Sequence, residues 1–284
     1  MSTYSAARGG EQHMSYSQVA SSSAPMAVRL AGLRVDLCER DYVLNEVHRR
    51  LSGRNTVPLF LASANLDHIH HFKAASGRSD LFAATADSEW LVLPDGMPVV
   101  WTVRRLTGQR WAQLAGADLL PDLLDVAACA SARVGFLGGT PEMHARLATV
   151  LQGARSGVTV AGYWAPPRQV LFNPRASGNL AADIRSSQVD LLVVSLGKPR
   201  QEQWLAMYGV ACGVRAAAAF GAASDFLAGT SPRAPRPLRR AGLEWMYRLV
   251  REPRRLWRRY LVEGAPTWLR LYREMRVKRR AMRR

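Results

Sequence analysis

Four short stretches of the chain group the residue types that do chemistry. In Leu93-Pro94-Asp95-Gly96-Met97-Pro98 a lone carboxylate follows an apolar run and precedes a glycine that lets the backbone turn tightly. An aspartate held there can act as a general base, taking a proton from a hydroxyl that attacks a carbon centre, or it can cap the next helix. Phe136-Leu137-Gly138-Gly139-Thr140-Pro141 reads as strand, glycine turn and helix start. The free N–H groups of such a start can receive a diphosphate, although glycines also serve plain tight turns. There is no Walker Gly-Lys-Ser/Thr and no complete G-x-G-x-x-G. Gly197-Lys198-Pro199-Arg200-Gln201-Glu202 sets two cations, an amide and a carboxylate after another apolar run. Lys198 and Arg200 could neutralise phosphate and Gln201 could hydrogen-bond a sugar or base; the plain alternative is a solvated loop. Asp67-His68-Ile69-His70-His71 has metal-ligand types, with His68 and His71 able to share a helix face, but no second ligand pair stands out elsewhere. No Asp-x-Asp occurs either, so no metal site is expected.

These groups need a scaffold that brings chain-distant loops together. Gly32 to Cys38, Val57 to Ala64, Glu89 to Leu93, Arg133 to Leu137, Thr159 to Trp164, Asp190 to Leu196 and Val214 to Phe220 read as strands separated by helical patterns. The unbroken apolar run Leu191 to Val194 suits a strand covered on both faces. The expected fold is α/β, Rossmann-like, with a largely parallel sheet flanked by helices. Ligands of such sheets bind outside the carboxyl ends of the strands, where all the candidate groups but the histidines fall.

Composition adds the boundaries. The segment 1–27 is rich in Ser, Ala, Gly and Gln and is expected to be a disordered tail; 28–232 should form the α/β domain; 233–284 should form a helical appendage. From Arg233 onward there are 18 Lys or Arg against four acids, so only +3 of the net charge of +17 belongs to the first 232 residues. Cys38, Cys129 and Cys212 have no metal-ligand spacing and are expected to be free thiols. Neither a signal peptide nor a run of about 18 apolar residues is present, which points to a cytoplasmic protein whose membrane contact is peripheral.

Six segments in order resemble the WecG/TagA/CpsF family of bacterial glycosyltransferases: Ala64-Asn65-Leu66-Asp67-His68, Pro94-Asp95-Gly96-Met97-Pro98-Val99-Val100-Trp101, Ala115-Gly116-Ala117-Asp118-Leu119, Phe136-Leu137-Gly138-Gly139, Gly197-Lys198-Pro199-Arg200-Gln201-Glu202 and Asp225-Phe226-Leu227-Ala228-Gly229. The resemblance implies inverting, metal-independent transfer from a UDP-sugar to a polyprenyl-diphosphate-linked acceptor in surface polysaccharide synthesis, with no cofactor. It puts the catalytic carboxylate on Asp95, a second catalytic position on Ser63, and substrate-binding positions on Asn65 and Gln201. Gly96, Gln113, Asp118, Gly138, Gly139, Lys198 and Glu202 complete the expected substrate-binding set. Gln113 departs from the family, many of whose members carry Arg there; its work would shift to Arg110, Lys198 or an arginine of the appendage.

The appendage interleaves Trp, Tyr and Leu with arginines, among them Arg254, Arg255, Arg258 and Arg259. That composition suits helices lying in an anionic membrane interface, where a lipid-linked acceptor would be met. The alternatives are that its apolar face packs on the main domain, that it meets a sister subunit in a homo-oligomer, or that the whole is a nucleotide-binding α/β protein with a nucleic-acid-binding tail. The near-neutral main domain disfavours nucleic acid as a partner. A dinucleotide redox enzyme is disfavoured by the missing glycine fingerprint.

Overall fold

The computed structural model describes residues 25–53, 57–73, 76–83 and 85–281. Six strands, β3 (Leu59–Ala64), β4 (Glu89–Pro94), β5 (Arg133–Gly138), β6 (Thr159–Trp164), β7 (Leu191–Ser195) and β8 (Ala216–Ala219), form one parallel sheet in the order β4-β3-β8-β7-β5-β6. Because side chains alternate across a strand, the odd and even positions of each run feed two separate cores. Leu59, Leu61, Leu91, Leu93, Val134, Phe136, Leu191 and Val193 pack under α1 (Arg40–Ser52), α4 (Gly116–Cys129) and α5 (Pro141–Ala154). Phe60, Ala62, Trp90, Val92, Leu192 and Val194 meet the opposite layer, which includes α2 (Leu66–Phe72), α3 (Met97–Thr107), α7 (Pro174–Ser186) and α8 (Arg200–Tyr208). Both faces being covered explains why these strands are continuous apolar runs rather than alternating ones.

The strand expected at Gly32 to Cys38 does form, as β2 (Leu33–Leu37), but it is not part of the parallel sheet. It pairs antiparallel with β1 (Met26–Leu30), which begins inside the segment expected to be a tail. Residues 1–24 of that segment lie outside the described residues. The fully buried Asp36 of β2 reaches across and accepts the Val92 N–H of edge strand β4 at 2.8 Å. A side chain thus satisfies a donor that another strand would otherwise claim. Burial raises the Asp36 pKa above the ordinary carboxylate value, against the lowering by the Val92 and Arg34 hydrogen bonds.

The remaining helices complete the chain: α6 (Arg168–Phe172) precedes α7, and α9 (Ala223–Leu227) follows β8. The appendage is helical, as its periodicity predicts: α10 (Arg236–Arg240), α11 (Glu244–Arg251), α12 (Pro253–Trp257), a π-helical segment (Arg258–Gly264) and α13 (Ala265–Ala281). It folds back onto the α/β domain. Leu271 joins the core beneath α3, Leu256 and Met275 are buried, and Trp101 meets Trp268 edge-on at 6.4 Å. The backbone N–H of Ala31 donates to Glu274 at 3.1 Å, tying α13 to the β1–β2 turn.

Candidate active site

The register of β3 against β4 pairs Ala64 with Pro94, so Asn65 and Asp95 emerge side by side at the carboxyl edge. The Asp95 N–H donates to Ala64 O at 2.8 Å, which holds its backbone to the strand below. Gly96 then takes φ +80°, a conformation L side chains rarely adopt, and α3 starts with Pro98 in its first turn. Asp95 is therefore not the cap of α3, and Gln113 Nε2 donates to its Oδ1 at 3.3 Å. Asn65 is the N-cap of α2, accepting the His68 N–H at 3.1 Å, which commits its oxygen and leaves its amide hydrogens for the cleft. Ser63 lies two residues back in β3, buried, with its carbonyl turned to the network below.

The Lys198 turn is part of that network. Lys198 Nζ donates to Ser63 O at 2.6 Å, His68 Nδ1 at 2.9 Å and Glu202 Oε1 at 3.0 Å, so all three of its hydrogens are used inside the protein. It cannot also serve a donor phosphate. His68 must then accept at Nδ1, carry its proton on Nε2, and stay neutral between Phe72 and Phe82, whose centroids lie 4.7 and 5.0 Å away. Burial and Lys198 push the His68 pKa down to about 4. Burial opposes ionisation of Glu202, but the Lys198 charge prevails and holds it at about 2. Gln201 and Glu202 are 0% exposed, and Gln201 Nε2 spans Glu202 Oε1 at 3.0 Å and Ala219 O at 2.8 Å. The atoms left without partners are His68 Nε2, Glu202 Oε2 and Gln201 Oε1. Gln201 Oε1 lies beneath Gly221, where an added Cβ would sit 3.1 Å from it. His68 and His71 consequently do not share a ligand set: one is inside this network and the other faces away from it, against Asp67.

The glycine turn lies elsewhere. Gly138 and Gly139, at φ +95° and +84°, close β5 and lead to Thr140, whose hydroxyl caps α5 by accepting the Met143 N–H at 3.2 Å. A Cβ on Gly138 would stand 2.5 Å from Ser195 O, so the glycine is needed for two backbones to approach. In the sheet order β5 is four strands from β4. At about 4.8 Å per strand the glycines are some 19 Å from Asp95. A diphosphate bound at Gly138 and Gly139 could not place its sugar carbon against Asp95, since only one bridging oxygen separates the two.

The appendage brings its own charged residues to this end of the sheet. Asp118, in the first turn of α4, pairs with Arg233 at 2.8 Å and Arg239 at 3.2 Å, and Arg233 approaches Glu244 at 3.9 Å. The Nε atoms of Arg233 and Arg239 are buried without hydrogen-bond partners. Burial raises the Glu244 pKa, Arg233 lowers it, and Asp95 across the cleft raises it again. Gly242, in the turn before α11, lies so close to Met97 that a Cβ would stand 2.6 Å from its Cγ, which seats the appendage beside the Asp95-Gly96 turn.

The sequence pattern of the Glycosyl transferase WecG/TagA/CpsF family fits residues 28–281, which takes in the sheet, the Asp95 corner and the appendage together. The chain belongs to that family. It is a glycosyltransferase. It is similar to an N-acetylglucosaminyldiphosphoundecaprenol N-acetyl-beta-D-mannosaminyltransferase of Bacillus spizizenii, 32% identical over 180 residues that cover 63% of this chain and 67% of the relative. A protein of the same name from Bacillus subtilis is 24% identical over 230 residues, 80% of each chain.

Within this glycosyltransferase, Ser63, Asn65, Asp95, Gly96 and Gln113 gather at one corner, and Lys198, Gln201 and Glu202 lie beneath them. Asp118 is turned to the appendage, and Gly138 and Gly139 stand at the far end of the edge. Sequence reading missed Arg233, Arg239 and Glu244. Nothing in their local spacing separates them from the other charges of the appendage; only docking brings the two arginines to Asp118 and Glu244 within electrostatic reach of Asp95. Of the four arginines expected at a membrane, Arg254 and Arg258 are exposed, whereas Arg259 is taken up by an ion pair with Asp67 at 3.0 Å. The Arg255 side chain lies outside the described residues.

Proposed function

We propose that this glycosyltransferase moves a hexose or N-acetylhexosamine from a UDP-sugar to the sugar of a polyprenyl-diphosphate-linked acceptor, with inversion and without a metal in the transfer step. The reading is carried by the seating of the appendage beside the Asp95 corner: Glu244 there feels the Asp95 charge, and Arg233 and Arg239, ion-paired to Asp118, each keep an Nε without a hydrogen-bond partner. Asp95 takes the proton of the acceptor hydroxyl as its oxygen attacks the anomeric carbon from the face opposite the leaving group. The bond from that carbon to the phosphate oxygen breaks, and its electron pair leaves on UDP. Arg233 and Arg239 supply N–H donors for the charge growing on the diphosphate, the task a metal performs where Asp-x-Asp holds one. Gln113 orients the Asp95 carboxylate, and the Asn65 amide lies beside it to hold a sugar hydroxyl. The names of the Bacillus relatives support an acceptor of the N-acetylglucosaminyl-diphosphate-polyprenol type.

The appendage also carries an apolar face that the domain does not cover. Trp245, Met246, Trp257 and Leu261 are exposed and Val250 is 76% exposed, on the helices that present Arg254 and Arg258. No helix among the described residues is long and apolar enough to cross a membrane, so this face is read as an interfacial contact on the leaflet that holds the acceptor. Surface polysaccharide assembly at the inner face of the bacterial membrane follows from that reading.

The deciding experiment is UDP release by the purified protein from a panel of UDP-sugars, with a short-chain N-acetylglucosaminyl-diphosphate-polyprenol and EDTA present. Acceptor-dependent release from one donor is the expected result. Release that requires magnesium or manganese, and that zinc at one ion per chain does not restore, would overturn the metal-free step, and release without acceptor would overturn the transferase assignment to a lipid-linked sugar.

A further inference from the structure

The side of α2 away from Lys198 holds a second polar group. Asp67, 7% exposed, lies with Oδ1 at 3.4 Å from His71 Nε2 one turn later, and its Oδ2 takes Arg259 at 3.0 Å. Glu263 of the π segment brings a carboxylate oxygen to the same place. One ligand atom from each of Asp67, His71 and Glu263 lies within 4.8 Å of the other two. The three come from two parts of the chain that only docking of the appendage unites.

The donor set is an imidazole and two carboxylates, which suits a borderline divalent ion better than calcium or magnesium, whose ligands are all oxygens. Zinc bonds of about 2.0–2.1 Å in a tetrahedron set neighbouring ligand atoms about 3.3–3.4 Å apart. The Asp67–His71 pair already stands at that separation, held by its i,i+4 placement on α2. Glu263 completes the set by a side-chain rotation. Arg259 can stay on Asp67 Oδ2 while Oδ1 takes the ion, an arrangement in which the second contact orients the ligand. Arg258, the other neighbour, approaches Glu263 at 3.5 Å with a side chain 75% exposed, so it can turn to solvent when an ion enters.

We infer that Asp67, His71 and Glu263 bind one zinc-class divalent cation, with water as fourth ligand, and that the ion fastens the appendage to α2. The site is structural: none of its ligands is placed in the transfer chemistry. Such an ion would favour the docked appendage, and with it the arrangement in which Arg233, Arg239 and Glu244 lie at the Asp95 end of the sheet.

The full-length chain, stripped with chelator and dialysed, is titrated with ZnCl2 by equilibrium dialysis with metal analysis, and melted with and without a hundred-fold excess over the dissociation constant. One ion per chain and a rise in Tm of about 5–10 °C are expected. His71→Ala and Glu263→Gln should each weaken binding by ten-fold or more, while His48→Ala, far from the group in sequence, should not. Limited proteolysis gives an independent reading, since zinc should slow cleavage between the domain and the appendage in the wild type and not in Glu263→Gln. Substoichiometric zinc, or stoichiometric zinc that both variants retain, would show an ion-pair cluster only and overturn the inference. Should His71→Ala fold poorly, His71→Gln keeps the shape without a good zinc ligand and must show the same loss.

Discussion

At the scale of single residues, the same polar types do opposite work according to whether their hydrogen bonds are already spent. Asp95 has one oxygen oriented by Gln113 and capacity to spare, whereas Lys198 has no hydrogen left to offer. Asp95→Asn should lower kcat by about 10²–10⁴ with an unchanged melting curve, measured as UDP release at saturating donor and acceptor. Lys198→Met should instead unfold the protein more easily, by about 3–5 kcal/mol in denaturant titration, because Glu202 keeps its burial and loses its cation. A variant that melts like the wild type but needs more UDP-sugar would return Lys198 to the donor site. Both buried partners also set an acid limit. His68 falls from its ordinary 6.5 to about 4 and Glu202 from 4.5 to about 2, so the unfolded chain binds more protons than the folded one between those values. Their stabilisation is whole above about pH 6.5 and is lost as pH falls through 4 towards 2, so Tm should decline over that window.

At the scale of elements, the sheet acts as a ruler. Its strand order puts β4 and β5 four positions apart, and that is why the proposed diphosphate site lies at the Asp95 corner rather than at the glycine turn. Close packing at the strand ends keeps this spacing. Gly116, at the start of α4, lies against Phe220 at the end of β8, where an added Cβ would stand 2.6 Å from the ring. Gly116→Ala should cost about 1–3 kcal/mol of stability by thermal melt, since the ring and α4 have to move apart. The sequence marks this glycine only as part of a small-residue stretch; its neighbour comes from a strand a hundred residues later and is invisible in local spacing.

At the scale of the whole molecule, the chain is a near-neutral α/β domain clasped by a cationic arm. The arm has two apolar faces: Leu256, Leu271 and Met275 turn inward, and Trp245, Val250, Trp257 and Leu261 turn outward. Packing on the domain uses one set of side chains and leaves the other for the proposed membrane contact. Deleting the arm would expose the inner face and confuse the test, so substitutions on the outer face are preferable. Val250→Glu with Trp257→Glu should leave the melting curve near that of the wild type and reduce co-sedimentation with anionic vesicles by an order of magnitude or more. Raising salt should weaken the wild-type interaction as well, because each cation near the surface contributes about 1 kcal/mol that salt screens. Vesicle binding unchanged by both would remove the membrane role.

The sequence by itself determined the parallel α/β sheet, the positions of its six strands and the helical arm, because these rest on local periodicity and on the chain turning at each strand end. It also carried the family, through six motifs in order. Only the tertiary structure decided which polar residues face the cleft, since that depends on partners far away in the chain: Ser63 for Lys198, Asp67 for Arg259, Asp118 for Arg233. Spacing reports what a residue can do, and a hydrogen bond or ion pair made elsewhere in the fold settles what it remains free to do.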